Sequence, residues 1–267
     1  MLPVVELAGL HISSYFLFMS VGWCVGGAIF YRAARREGMS AEVALSIMAG
    51  CALGATLGAT LMSALFVPWH ELPARLAEGS AFIGRTVIGG IAGGIVGVEL
   101  CKKLVGHARS TGAAFALAIP PGHAIGRVGC LLQGCCYGTP TSLPWGVRYP
   151  ALSFAHASHV ARGVLPSTAV SSLSVHPAPL YELAFDLCLW CLLLAARPRL
   201  RAEGSLFRLY LTSYAAFRLL AEFVRGDSAP PSGFFLKPVQ VLLLLAMLAY
   251  GLRLRASERA ASVRAAT

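Results

Sequence analysis

The chain has 267 residues, 57% of them hydrophobic and only 13% charged, with a mean hydropathy of +0.68. That leaves too little charged surface for a water-soluble domain of this size, and lipid is the expected solvent. The formal net charge of +10 would suit nucleic acid, but the placement of the charges along the chain argues against that partner.

A bilayer core about 30 Å thick needs roughly 20 apolar residues per crossing helix. Seven segments approach that length: 12 to 31, 42 to 67, 83 to 101, 111 to 126, 178 to 196, 206 to 224 and 237 to 254. The N-terminus lacks a basic stretch, carries Glu6 and shows no small-residue cleavage site after the first span, so it reads as an uncleaved helix. In the second span, Met48-Ala49-Gly50-Cys51 faintly resembles a lipoprotein-precursor site, but its position inside a span makes that a coincidence. Gly50, Gly54 and Gly58 recur every fourth residue, as do Gly90 with Gly94 and Gly93 with Gly97 in the third span. Such spacing lets helix backbones approach closely in lipid. A phosphate-binding glycine loop would need a preceding strand and a following acidic residue, and neither is present.

Every second connection is basic. Arg32, Arg35 and Arg36 follow the first span; Lys102, Lys103 and Arg109 join the third to the fourth; Arg197, Arg199 and Arg201 join the fifth to the sixth; Arg253, Arg255, Arg259 and Arg264 form a tail over 253–267. The other connections carry only Arg75, Arg85, Arg148, Arg162 and a few residues at helix ends. Positive residues concentrate on the cytoplasmic side, which predicts an outer N-terminus and a cytoplasmic C-terminus. The expected fold is all-α: one polytopic membrane domain over 1–267, with about seven transmembrane helices. The long connection 127–177 would form a small outer cap, since a loop of this length is functional or disordered and Gly138-Thr139-Pro140-Thr141-Ser142-Leu143-Pro144 favours turns.

Ionisable side chains at or inside spans cost about 2.5 to 3.5 kcal/mol each on insertion scales, so they require a reason. Arg127 is expected to end the fourth span. Glu182 and Asp186 lie one turn apart in the fifth, and Arg218, Glu222 and Arg225 share one face of the sixth. A structural network in which Glu182 and Glu222 neutralise Arg127 and Arg218 is one reading. An anion site is the other, because guanidinium groups bind phosphate through paired hydrogen bonds; the anion available from the bilayer is a phospholipid headgroup.

Three motifs carry a resemblance: Gly126-Arg127-Val128-Gly129-Cys130-Leu131-Leu132-Gln133-Gly134-Cys135-Cys136-Tyr137-Gly138, then His176-Pro177-Ala178-Pro179-Leu180-Tyr181-Glu182, and Tyr214 through Arg225 with Arg218-Leu219-Leu220-Ala221-Glu222-Phe223 inside it. In order and spacing, from Tyr15 to about Arg225, the chain resembles the phosphatidylglycerol:prolipoprotein diacylglyceryl transferases of bacterial inner membranes. The resemblance implies transfer of a diacylglyceryl group from phosphatidylglycerol to the lipobox cysteine of a prolipoprotein signal peptide, with release of glycerol 1-phosphate. It implies membrane lipid and prolipoproteins as partners, and neither a cofactor nor nucleic acid. By the same resemblance Arg127 and Arg218 grip the donor phosphate, Glu182 and Glu222 orient the arginines, and His176 and Tyr181 shape the outer rim. Tyr15, Gly126, Cys130, Gln133, Gly138 and Arg225 complete the expected substrate site. A paralogue using another lipid donor or acceptor, or a lipid-binding or transport protein without turnover, are the alternatives.

Two departures stand out. Where the family usually carries a histidine before paired glycines, this chain has Ile88 before Gly89 and Gly90, and the usual amide and acidic residues of the Gly-Arg segment are replaced by Cys130, Gln133 and Cys135. His123, four residues before Arg127 and on the same helix face, is a substitute base for the acceptor thiol; helix packing is its other reading. Cys130, Cys135 and Cys136 admit simple packing, a disulfide suited to an oxidising compartment, or a metal site completed by His156 or His159. Their spacing matches no common zinc pattern, so no metal is expected. Cys188 with Cys191, and Cys24, Cys51 and Cys101, read as packing residues. Trp23, Trp69, Trp145 and Trp190 read as interface or packing aromatics.

Overall fold

The computed structural model describes residues 4–7, 10–65, 87–226 and 238–266. A two-stranded antiparallel hairpin, β1 (Val4–Leu7) with β2 (Leu10–Ser13), precedes helices α1 (Ser14–Arg36), α2 (Ala41–Leu65), α3 (Val87–Leu104), α4 (Gly112–Gln133), α5 (Phe154–Ala161), α6 (Ala178–Ala196), α7 (Ser205–Ala221) and α8 (Pro238–Ala266). Five of these helices are long and apolar enough to cross a membrane: Ser14–Arg36, Ala41–Ala64, Gly112–Gln133, Ala178–Ala196 and Gln240–Arg264. The fold is thus helical and membrane-compatible, with a small hairpin that an all-α expectation omits. Trp69, Arg75 and Arg85 lie outside the described residues.

The chain divides into two compact units, residues 31–110 and residues 1–30 with 111–267. In the first, α2 packs on α3 through glycines. A Cβ added at Gly54 would strike the backbone oxygen of Gly93, and one at Gly97 would strike that of Gly50. The partner stripe is therefore Gly93 and Gly97, whereas Gly90 and Gly94 have ordinary clearances of 3.6 Å or more. Without a hydrophobic drive between helices in lipid, such close backbone contact supplies the attraction. Another face of α2 leaves Leu53, Leu57 and Leu61 more than half exposed, the apolar stripe that acyl chains would cover.

In the second unit, α1 meets α4 by the same device. A Cβ on Gly122 would stand 2.7 Å from the Gly22 oxygen, and one on Gly26 would stand 3.1 Å from the Ala118 oxygen. Helix α4 is longer than its apolar run implies. It continues through Arg127 to Gln133 and stops at Gly134, which adopts a left-handed conformation (φ 74°) and donates its N–H to the Cys130 carbonyl. Arg127 therefore lies inside the helix rather than at its end, and the connection begins at 134 instead of 127. Gly126 and Gly129 do not break the helix, because they face α1: a Cβ on Gly129 would meet Tyr15 Cα at 3.1 Å. Conversely, α7 stops at Ala221, so Arg225 lies beyond it in a bridge with Gly138 rather than on the helix face.

The long connection is ordered around Tyr137, Tyr149, Ala155 and Val175, with Val147 packed against them. Helix α5 is capped by Ser153, whose side chain accepts from His156 N–H. His156 Nε2 lies 2.8 Å from the Ala169 oxygen and His159 Nδ1 accepts from Leu173 N–H at 3.3 Å, so both histidines serve the loop scaffold. Arg162 ties α5 to the end of α7 through the Gly226 oxygen (2.9 Å). At the far ends of α6 and α8, Glu258 accepts backbone N–H groups of Arg201 and Ala202 at 3.1 and 2.9 Å, and Arg208 donates to Ser257. Two of the basic segments, the α6–α7 turn and the tail, thus meet at one end of the unit.

Candidate active site

The site is built from α4, α6, the end of α7 and the turn after α4. Arg127 is 5% exposed, and each guanidinium nitrogen has a partner: Nε donates to His123 Nε2 at 3.1 Å, Nη1 to Cys130 Sγ at 3.8 Å, and Nη2 pairs with Glu182 Oε2 at 2.5 Å. Glu182, 1% exposed, uses its other oxygen to hold Arg225 at 3.2 Å. One carboxylate therefore spans two arginines from different elements. An arginine has five N–H donors, so each Nη of Arg127 keeps a second N–H without a partner among the described residues.

Asp186 extends the network. Its carboxylate lies 2.7 Å from His123 Nδ1. Arginine only donates, so His123 Nε2 accepts from Arg127 and the ring proton sits on Nδ1, directed at Asp186. Both ring nitrogens are thereby engaged, Nε2 with the guanidinium and Nδ1 with the Asp186 carboxylate. The stacking of α4 and α6 explains the chain of contacts: His123 and Arg127 are four residues apart, as are Glu182 and Asp186, so the two pairs face each other one turn at a time.

Arg218, in the last turn of α7, pairs with Glu222 just beyond it at 2.6 Å. Tyr214, one turn earlier, sets its ring 5.9 Å from that of His123, and its buried hydroxyl has no hydrogen-bond partner among the described residues. Phe185 and Phe217 stack at 4.0 Å and fix α6 against α7.

The rim comes from the loop. Tyr181 accepts from Trp145 Nε1 at 2.8 Å and its hydroxyl lies 3.1 Å from His176 Nδ1. Gly138 has no room for a side chain, since an added Cβ would collide with His176 and stand 2.8 Å from the Val224 oxygen. Its N–H bonds the His176 oxygen at 2.9 Å and Thr139 N–H bonds Val224, which clamps the loop to the end of α7. Gln133 accepts from Ser13 Oγ at 3.0 Å, and Tyr15, in the first turn of α1, lies beside Gly129. These two lie at the α1–α4 junction.

The eight cysteines are all free thiols. Cys136, outside the helices, is held well below the usual thiol range by hydrogen bonds from Cys130 and Cys135, with Arg127 and Arg225 adding to the effect. Cys135 moves the opposite way, its proton retained by hydrogen bonding with Cys130 and Cys136 and by burial. Asp186, Tyr214 and Cys136 fall within the segments singled out from the sequence, but spacing alone gave none of them a place beside Arg127.

A sequence model of the family described as prolipoprotein diacylglyceryl transferase matches residues 3–255. The chain belongs to the prolipoprotein diacylglyceryl transferase family. Among relatives named phosphatidylglycerol–prolipoprotein diacylglyceryl transferase, that of Clostridium tetani is 28% identical over 232 residues, covering 85% of this chain and 86% of the relative. That of Dehalococcoides mccartyi strain 195 is 34% identical over 169 residues, 61% of this chain and 58% of the relative. The one from Nostoc sp. PCC 7120 is 29% identical over 238 residues, with 84% and 78% covered.

Proposed function

We propose that this protein transfers the diacylglyceryl group of phosphatidylglycerol to the lipobox cysteine of prolipoproteins. The observation that carries the reading is Arg127: a buried guanidinium, braced on three sides, that keeps one N–H on each Nη for a phosphodiester oxygen. Braced donors of this kind stabilise charge that develops on a leaving oxygen without reorganising at the moment of reaction. Arg225, tied to the same carboxylate, and the Arg218–Glu222 couple supply further positive potential for the headgroup, and Tyr214 offers a hydroxyl to it. The thiolate sulfur attacks the glyceryl carbon, the carbon–oxygen bond to phosphate breaks, and glycerol 1-phosphate departs with the electron pair. Tyr15, Gly126, Gln133, Gly138, His176 and Tyr181 shape the walls of this site.

In this reading α3 and α7 also cross the bilayer, giving seven spans in one membrane domain. The 134–177 connection caps the outer face, the N-terminus lies outside, and the basic tail lies in the cytoplasm of a bacterial inner membrane. The alternation of basic connections and the meeting of the α6–α7 turn with the tail support that orientation. The test is direct. Purified protein with labelled phosphatidylglycerol and a lipobox peptide should yield a thioether product and glycerol 1-phosphate in equal amounts; phospholipid binding without product would sink the transferase reading.

His123 acts in this scheme as a positioning residue. His123→Ala is expected to lower turnover about 10- to 100-fold, the usual cost of losing an orienting partner. His123→Gln, whose amide can accept from Arg127 and donate to Asp186, should recover most of it. The pH–rate profile should keep its shape in both variants. Loss of the alkaline-rising limb in His123→Gln would instead make His123 the base.

A further inference from the structure

Cys130, Cys135 and Cys136 form a group of metal-ligating side chains whose ligand atoms converge: the three sulfurs all lie within 4.8 Å of one another. Three sulfurs on a tetrahedral zinc ion, at about 2.3 Å from the metal, stand roughly 3.8 Å apart, so small rotamer changes close this group onto one ion. The backbone holds the group in place. Both Gly134 N–H and Cys135 N–H bond the Cys130 carbonyl, at 3.0 and 3.2 Å, which folds the turn back over the last helical residues. Cys136 has φ 55°, an uncommon conformation for a residue with a side chain, and one that persists where the surroundings impose it. In an extended course consecutive side chains would point to opposite faces; here both thiols reach the first.

The sequence spacing argues against a structural zinc site, and the geometry is not that of one. Four protein ligands close a structural site, whereas three with an open fourth position are the pattern of a catalytic one. Among the described residues no fourth histidine, cysteine or carboxylate atom joins the three sulfurs. The environment also suits anionic sulfur, because Arg127 directs Nη1 at Cys130 Sγ and is itself buried. Three thiolates on Zn2+ leave one net negative charge beside that guanidinium, which then serves as an outer-shell partner.

We propose that Cys130, Cys135 and Cys136 bind one Zn2+ ion and that the acceptor thiol occupies its fourth coordination position. The acceptor half rests on the thiol-transferase reading above; the metal half does not. A thiol coordinated to zinc is deprotonated outright, its proton passing to solvent. The bound sulfur then forms its bond to the glyceryl carbon as the carbon–oxygen bond to phosphate breaks, and the phosphate oxygen keeps the electron pair beside Arg127. No side-chain base is needed, which accords with His123 having both ring nitrogens engaged and with an isoleucine at position 88.

The full-length protein, purified in detergent, depleted of metal and titrated with Co2+, should bind one equivalent and develop sulfur-to-cobalt charge-transfer absorption with the intense visible bands of a tetrahedral site. Cys130→Ser, Cys135→Ser and Cys136→Ser should each lose those bands, while Cys188→Ser keeps them. A lipobox peptide should shift the bands and its cysteine-to-serine version should not. Metal depletion should slow transfer about 100-fold, on the scale of general-base catalysis, with recovery on adding Zn2+. Absence of charge-transfer absorption in the wild-type protein, or bands that the cysteine peptide leaves unmoved, would overturn the proposal. If the peptide-shifted bands appear but no metal state makes thioether, the transferase reading fails and the metal site stands.

Discussion

Arg127→Ala is expected to reduce diacylglyceryl transfer by about 10³-fold or more, since each braced donor to a developing oxyanion contributes about 10²- to 10³-fold. Arg127→Lys keeps the charge and loses the fork, and should still lose about 100-fold. The stability cost separates function from scaffolding. Breaking a buried pair costs about 3 to 5 kcal/mol when a charge is stranded, but Glu182 retains Arg225 at 3.2 Å, so the variant should stay folded with a modestly lowered melting temperature. Turnover of labelled phosphatidylglycerol and thermal unfolding in detergent check both halves. Transfer within about tenfold of wild type would remove Arg127 from the chemistry and leave it a structural ion pair.

A second large effect is expected far from the site. Gly54→Leu places a side chain where the Gly93 oxygen and Gly97 Cα, at 2.9 Å, already lie. Backbone on the facing helix cannot swing aside, so the cost should reach or exceed the upper end of the 1 to 3 kcal/mol typical of overpacking. The α2–α3 pair should separate, with new protease cleavage in that unit and little folded protein recovered. Gly90→Ala is the control. Its Cβ would meet Ala59 Cβ and the Ala55 oxygen at 3.7 Å, and it should melt within a few degrees of the wild type. Equal melting of the two variants would show that the glycine stripe does not carry the contact.

Both predictions draw on parts of the chain that differ in how openly they declare themselves. The glycine spacing gave away that α2 and α3 approach closely, but not which stripe of α3 is used, because Gly90–Gly94 and Gly93–Gly97 have the same period and only the facing helix selects between them. The apolar runs placed most helices, yet undercounted α4. Its last turns hold Arg127, Gln133 and two glycines, which hydropathy scores as loop, while packing against α1 and the left-handed cap at Gly134 keep them helical. Arg225 was expected on a helix face and instead reaches Glu182 from the bridge after α7.

What the sequence by itself determined is the apolar, membrane-compatible character of the chain and its family, and it singled out Arg127 as the arginine to test. Apolar runs of membrane length, the alternation of basic connections and three separated motifs are all local or periodic properties, legible one segment at a time. Only the tertiary structure decided what surrounds that arginine. Glu182 binds Arg127 and Arg225 together, His123 is held between Asp186 and the guanidinium, and three cysteines converge because a helix end, a left-handed glycine and a left-handed cysteine turn the chain back on itself. Such contacts join residues tens of positions apart, and the energy of a buried charge depends on which partners arrive at 3 Å, a quantity that no spacing along the chain encodes.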